Sequence, residues 1–173
     1  FRTNKVKIAD DGEILVKGEN VMLGYWNNKE ETKKVIKNEW LYTGDIGEID
    51  ENGYLKITDR KKDIIVNLGG DNIAPSKIEN ILCLNQLIKQ SLVYGDKKNY
   101  LVALIVVDKN INKEKIKIIL ENINKKLSLI EKIKKFILIN EEFSINNGML
   151  TPTLKLKRKE IINIYKHQLE NLY

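Results

Sequence analysis

Seven consecutive residues, Leu101-Val102-Ala103-Leu104-Ile105-Val106-Val107, carry no polar side chain. A strand that shows water neither face lies in the middle of a sheet, covered on both sides. The residues around it supply the rest of such a layer. Ser91 to Tyr94 reads as a neighbouring strand, joined to the first through Gly95-Asp96-Lys97-Lys98-Asn99. Lys113 to Leu127 places Ile116, Ile119, Leu120, Ile123 and Leu127 at helical spacing. A short helix near Leu129 to Lys135 is expected to lead into a strand at Phe136 to Ile139. After an exposed loop from Asn147 to Lys157, a closing helix from about Arg158 presents Ile161, Tyr165, Leu169 and Leu172 as one stripe.

Upstream, Ile64-Ile65-Val66 runs into Gly69-Gly70-Asp71-Asn72, a turn where positive φ costs little. Ser76 followed by Glu79, with Pro75 alongside, predicts a capping box on a helix whose apolar face is Ile78, Ile81 and Leu82. Cys83 is expected as a small buried residue on that helix. One cysteine cannot close an internal disulfide, which fits a reducing, cytoplasmic setting.

The first 59 residues differ. Asp10-Asp11-Gly12 and Asp50-Glu51-Asn52-Gly53 each separate two short apolar runs and predict hairpins. Asn28 to Lys37 reads as a short helix. So few strands cannot enclose a core, so the segment reads as the edge of something larger. Charge changes at the same place: residues 1–59 hold 9 basic and 12 acidic side chains, residues 60–173 hold 21 and 12. That step sets an expected boundary, 1–59 and 60–173. A basic half attracts polyanions, including an anionic membrane surface. Nucleic acid is a poor fit, because only 7% of residues are aromatic and none form a stacking stripe among the lysines. The chain starts at Phe1, as a piece of a longer protein would, and no run is long enough to span a bilayer. His167 on the last helix is read as a surface or packing residue.

Four segments can carry chemistry. Asp45, at the end of Trp40-Leu41-Tyr42-Thr43-Gly44-Asp45, offers a carboxylate to a vicinal diol such as a ribose. Arg60, in Thr58-Asp59-Arg60-Lys61-Lys62-Asp63, can fork onto the same ribose or a phosphate. Gly69 and Gly70 allow a ligand close to the backbone. Lys155, in Leu150-Thr151-Pro152-Thr153-Leu154-Lys155-Leu156-Lys157-Arg158, can project a point charge at developing negative charge. Only 3 of the 30 basic residues are arginine, so Arg60 and Arg158 stand out where a planar fork is needed. Each segment alone also reads as an ordinary turn, linker or basic loop.

In this order and spacing, the segments resemble the adenylate-forming superfamily of acyl-CoA synthetases, luciferases and peptide-synthetase adenylation domains. The resemblance runs along nearly the whole chain: Gly12-Glu13-Ile14-Leu15-Val16 with Gly18, Gly24-Tyr25-Trp26, Tyr42-Thr43-Gly44-Asp45, Asp59-Arg60-Lys61-Lys62, and Gly69-Gly70 with Pro75 and Ile78-Glu79. Thr153-Leu154-Lys155, where much of the superfamily has Ser-Gly-Lys, resembles the long-chain fatty-acyl branch.

The resemblance implies an α+β fold: a β-rich remnant of a large N-terminal domain, then a small mobile C-terminal domain. That domain would hold a mainly antiparallel sheet flanked by helices, with a two-stranded hairpin after the hinge. It implies an AMP-forming ligase that activates a fatty acid with ATP and passes it to coenzyme A. Asp45 and Arg60 would bind nucleotide, and Lys62 would be the hinge. Gly69 and Gly70 would line the pantetheine path, and Lys155 would act in adenylation. Mg²⁺ would arrive with ATP rather than in a protein cage. The phosphate-gripping loop and the acyl pocket belong to a domain this chain lacks, so the piece alone is not expected to adenylate. Alternatives from other classes are a relative using a different acid or acceptor, and a non-catalytic module that keeps the fold.

Overall fold

The computed structural model describes residues 3–173, which divide into two compact units meeting at Lys62 and Asp63. The first unit is an antiparallel sheet. β1 (Lys5–Ile8) and β2 (Glu13–Lys17) form the first expected hairpin, with Ile8 opposite Ile14. The polar segment after them gives α1 (Lys29–Val35), capped by the Asn28 Oδ1, which accepts the Glu31 N–H at 3.0 Å. β3 (Ile36–Lys37) and the long β4 (Trp40–Ile49) follow. β2 pairs along one side of β4; the other side takes β3 and then β5 (Leu55–Arg60). This unit extends past residue 59 because Arg60 is still paired, opposite Asp45. Ile14 and Leu15 are its only buried large apolar side chains among the described residues. A sheet that buries so little leaves apolar strand residues uncovered, as Val6, Ile49, Leu55 and Ile57 are here.

The second unit opens with a two-stranded hairpin, β6 (Ile65–Val66) and β7 (Asn72–Ile73). It runs directly into α2 (Pro75–Cys83). β8 (Gln90–Tyr94) and β9 (Leu101–Val106) pair antiparallel, α3 (Lys113–Asn124) crosses over, and β10 (Ile133–Ile139) returns parallel to β9. A strand reached through a helical crossover arrives in the same direction as the one it left. The three-stranded sheet is therefore mixed, where mainly antiparallel pairing was expected. α4 (Arg158–Ile164) and α5 (Lys166–Glu170) close the chain.

Every residue of β9 is buried, and its two faces meet different cores. Leu101, Ala103 and Ile105 join Ile78 and Leu82 of α2 and Ile116 and Leu120 of α3. Val102, Leu104 and Val106 join Met149, Leu150, Ile161, Tyr165 and Leu169. The stripe read for the last helix thus holds across the break at Tyr165, where α4 ends and α5 begins.

Three local expectations change. The helix predicted near Leu129 to Lys135 is a single 3-10 turn, Leu129–Glu131, and Ile133 to Lys135 belong to β10. The Ser76–Glu79 capping box does not form. α2 has no side-chain cap, and a reciprocal box occurs instead at Ser128 and Glu131. Cys83 is exposed at the last residue of α2, with its Sγ 3.5 Å from the Ser91 hydroxyl.

Candidate functional site

In the first unit, β4 bends at Gly44, whose φ of +71° suits a residue without Cβ. Its neighbours are held from β2. The Thr43 hydroxyl donates to the Ile14 carbonyl at 2.8 Å and accepts the Asp45 N–H at 3.1 Å. The Gly44 N–H donates to Glu13 Oε1 at 2.8 Å. Asp45 then faces Arg60 across the β4–β5 ladder, with Nη1 2.8 Å from Oδ1. The carboxylate is 23% exposed and the guanidinium 51%, so both remain reachable from solvent.

Lys61 turns the other way. Its ammonium contacts Asp11 Oδ2 at 2.6 Å and Glu13 Oε2 at 2.9 Å. The two carboxylates, Asp11 first, raise its pKa above the ordinary lysine value. The Lys61 ammonium in turn lowers that of Asp11. Gly44, Arg60, Lys61 and Lys62 line a cleft of about 380 Å³. The Asp45 carboxylate paired with Arg60, next to Lys62 and an open glycine corner, suits a sugar diol next to a phosphate.

In the second unit, Gly69 and Gly70 form the tip between β6 and β7, and Gly70 has φ +84°. Asn67 and Asp71 close the tip: Asn67 Nδ2 donates to Asp71 Oδ2, and the Asp71 N–H to Asn67 Oδ1, both at 2.9 Å. The hairpin is stitched to the β8–β9 connection, with Leu68 N–H donating to the Lys98 carbonyl and Lys97 N–H to the Val66 carbonyl.

Lys155 does not ride on an open loop. Residues 149–157 form a tight hairpin. Leu150 and Leu156 bridge antiparallel, the Lys157 N–H bonds the Met149 carbonyl, and the Thr151 N–H bonds the Lys155 carbonyl. Met149 and Leu150 root this hairpin in the core, while Pro152 to Lys155 stay exposed at its tip. Leu154, just before the lysine, has φ +60°. Among the described residues no carboxylate lies within ion-pair distance of Lys155.

Sequence reasoning missed two anchors. Glu13 sat inside a quoted motif with no role attached; a carboxylate among strand residues facing a core was the available signal. Glu79 was read as a cap. It instead takes both arms of Arg158, whose rarity in a lysine-rich chain was the hint.

The profile described as AMP-binding enzyme C-terminal domain matches residues 62–173. Over 194 residues the chain is 37% identical to the long-chain-fatty-acid–CoA ligase FadD15 of Mycobacterium tuberculosis, covering 98% of this chain and 32% of the relative. It superposes on the adenylation domain of a Mycobacterium chelonae carboxylate reductase with TM-score 0.86 and 26% identity, covering 98% of this chain and 30% of that one. It also superposes on the o-succinylbenzoate coenzyme A synthetase of Bacillus subtilis, solved with AMP. There the TM-score is 0.74 at 28% identity, covering 91% of this chain and 33% of that one. The chain thus spans about a third of the length of the curated relative.

Proposed function

Because this chain belongs to the AMP-binding enzymes and represents their C-terminal part, we propose that it works within an AMP-forming long-chain fatty acid–CoA ligase. The observation that carries the reading is the meeting of Asp45 and Arg60. Fifteen residues apart in sequence, they are 2.8 Å apart in the sheet, at the edge of a cleft that also holds Gly44 and Lys62. In this reading Asp45 accepts the ribose hydroxyls of ATP and Arg60 orients that carboxylate and the nearby phosphate. Mg²⁺ enters with the nucleotide.

Residues 1–62 form the end of a large N-terminal domain, reaching beyond the boundary expected from charge at residue 59, and residues 63–173 a lobe that pivots at Lys62. The exposed, charged character of that connection supports a pivot. Lys155, held on a stiff tip without a carboxylate partner, supplies a positioned cation to the adenylation step. Gly69 and Gly70 border the path of the coenzyme A pantetheine arm in the second step. A cytoplasmic enzyme meeting its lipid substrate at a membrane surface fits the basic second unit, and no helix among the described residues is long and apolar enough to cross a membrane.

The test uses the full-length polypeptide. Lys155→Ala is expected to abolish ATP–pyrophosphate exchange and to spare thioester formation from supplied acyl-adenylate. Equal survival of both half-reactions would overturn the role of Lys155. A second reading, a different acid or acceptor, is favoured by the solved relatives, one the adenylation domain of a carboxylate reductase and one an o-succinylbenzoate coenzyme A synthetase. A panel of carboxylic acids of increasing chain length, with coenzyme A as acceptor, separates the two.

A further inference from the structure

Glu13 is 4% exposed, at a position where an apolar side chain would complete the hairpin more cheaply. A buried carboxylate costs several kcal/mol unless its oxygens are satisfied. Both are, and by two different parts of the candidate site. Oε1 takes the Gly44 N–H at 2.8 Å and Oε2 takes the Lys61 ammonium at 2.9 Å. Gly44 precedes Asp45, and Lys61 follows Arg60. The contacts close a ring that runs from Glu13 to Gly44, through Asp45 and its 2.8 Å ion pair to Arg60, and back through Lys61. Asp11 adds a second carboxylate on Lys61 at 2.6 Å.

We propose that Glu13 is a positioning residue with two duties: it fixes the Gly44 corner that aims Asp45 at the ribose, and it pins Lys61 so that pivoting begins only at Lys62. The assignment rests on the nucleotide-binding reading above. With its ammonium held by two carboxylates, Lys61 is tied to the sheet one residue beyond the end of β5, at the start of the 3-10 turn Lys61–Asp63. The next residue, Lys62, lines the cleft but, among the described residues, has no carboxylate within ion-pair distance. Release of Lys61 lengthens the pivot by one residue and widens the range of orientations the lobe samples. That alters how the enzyme divides its time between the two half-reactions.

The experiment uses the full-length enzyme and measures the two half-reactions separately, with thermal unfolding as a check on folding. Glu13→Gln keeps a carbonyl for Gly44 and loses the charge on Lys61. It is expected to shift the ratio of thioester formation to pyrophosphate exchange by about fivefold, and Lys61→Gln, which also releases Asp11, to shift it in the same direction by at least that factor. Because Lys61→Gln already removes the Glu13 contact along with that of Asp11, the double variant is expected to shift it no further than Lys61→Gln alone. Glu13→Leu, which also removes the acceptor for Gly44, is expected to raise the KM for ATP by about tenfold, more than Glu13→Gln does.

Multiplying effects of Glu13→Gln and Lys61→Gln in the double variant would overturn the pinning. A wild-type KM for ATP in Glu13→Leu would overturn the aiming role. Asp45→Ala separates these failures from failure of the nucleotide reading. If it too leaves the KM for ATP unchanged, the ribose assignment falls. If it raises that KM while every Glu13 and Lys61 variant behaves as wild type, only the positioning proposal falls.

Discussion

Arg158 grips Glu79 with both arms, Nη1 on Oε1 at 2.6 Å and Nη2 on Oε2 at 2.5 Å, although the two lie 79 positions apart in the chain. Nη2 also donates to the Ser76 hydroxyl at 3.1 Å, and Glu79 Oε1 accepts the Val93 N–H of β8 at 2.7 Å. β8 is an edge strand. α2 packs on one face of the sheet and α4 on the other, so the pair stitches both helical layers together around that edge and satisfies one of its free N–H groups. It also ties α2, which continues the Gly69–Gly70 hairpin, to Arg158, which follows the Lys155 hairpin.

Breaking this pair from one side strands a charge in the interior. Arg158→Ala or Glu79→Ala is expected to cost about 3–5 kcal/mol, read as a lowered urea midpoint. Arg158→Lys keeps the charge without the fork and is expected to fall between those variants and wild type. Replacing both residues by apolar ones, Glu79→Leu with Arg158→Met, is expected to cost less than either alanine change alone. A double replacement as damaging as the sum of the two would show that the charges act independently.

Leu154 pays a backbone penalty at the Lys155 tip. Its φ of +60° is a conformation that costs an L side chain about 1–2 kcal/mol, and its side chain is 69% exposed, so little packing repays the strain. Leu154→Gly removes the strain but adds freedom to the unfolded chain, for an expected net gain of up to about 1 kcal/mol. Leu154→Val, branched at Cβ, is expected to lose about 1 kcal/mol. Chemical denaturation of the pair settles the sign; a glycine variant less stable than the valine variant would contradict the strain argument.

Acid should loosen two ties. The Lys61 ammonium lowers the pKa of Asp11, and the Lys98 ammonium, followed by the Tyr94 hydroxyl, lowers that of Glu170. A carboxylate whose folded pKa lies below its unfolded one stabilises the fold at pH above the unfolded value. That contribution is lost as pH falls through the lower folded value. Stability is therefore expected to decline below about pH 4.5. The decline should be shallower in Asp11→Asn and in Glu170→Gln, as read from urea midpoints across that range. Identical slopes in wild type and variants would rule out these two carboxylates as contributors.

Most of the second unit was legible because its signals are local and periodic. Leu101 to Val107 announced a doubly covered strand, and the spacing from Ile116 to Leu127 and from Ile161 to Leu172 announced the helices that cover it. What stayed hidden depends on partners distant in sequence. Lys132 to Lys135 alternates too weakly to show a strand until β9 supplies its neighbour. Glu79 matches a capping box by spacing, but a guanidinium at residue 158 outcompetes the local backbone for its carboxylate. Asp45 and Arg60 were legible as residue types; that they sit opposite each other was not, because the register shift between Ile46 and Gly47 sets that pairing. Glu13 was hidden for the opposite reason: it lies among hydrophobic strand residues, where a carboxylate reads as a solvent-facing exception.

β9 is encased on both faces by tightly packed side chains. Its amides should exchange with deuterium more slowly than any others in the second unit, and its strand gives that unit the stiffness of a beam. A stiff beam transmits a turn at one end to the other without bending. Under the proposed pivot, the amplitude of motion is written in the few bonds around Lys62, and the interior of the lobe can be redesigned for stability without retuning its travel.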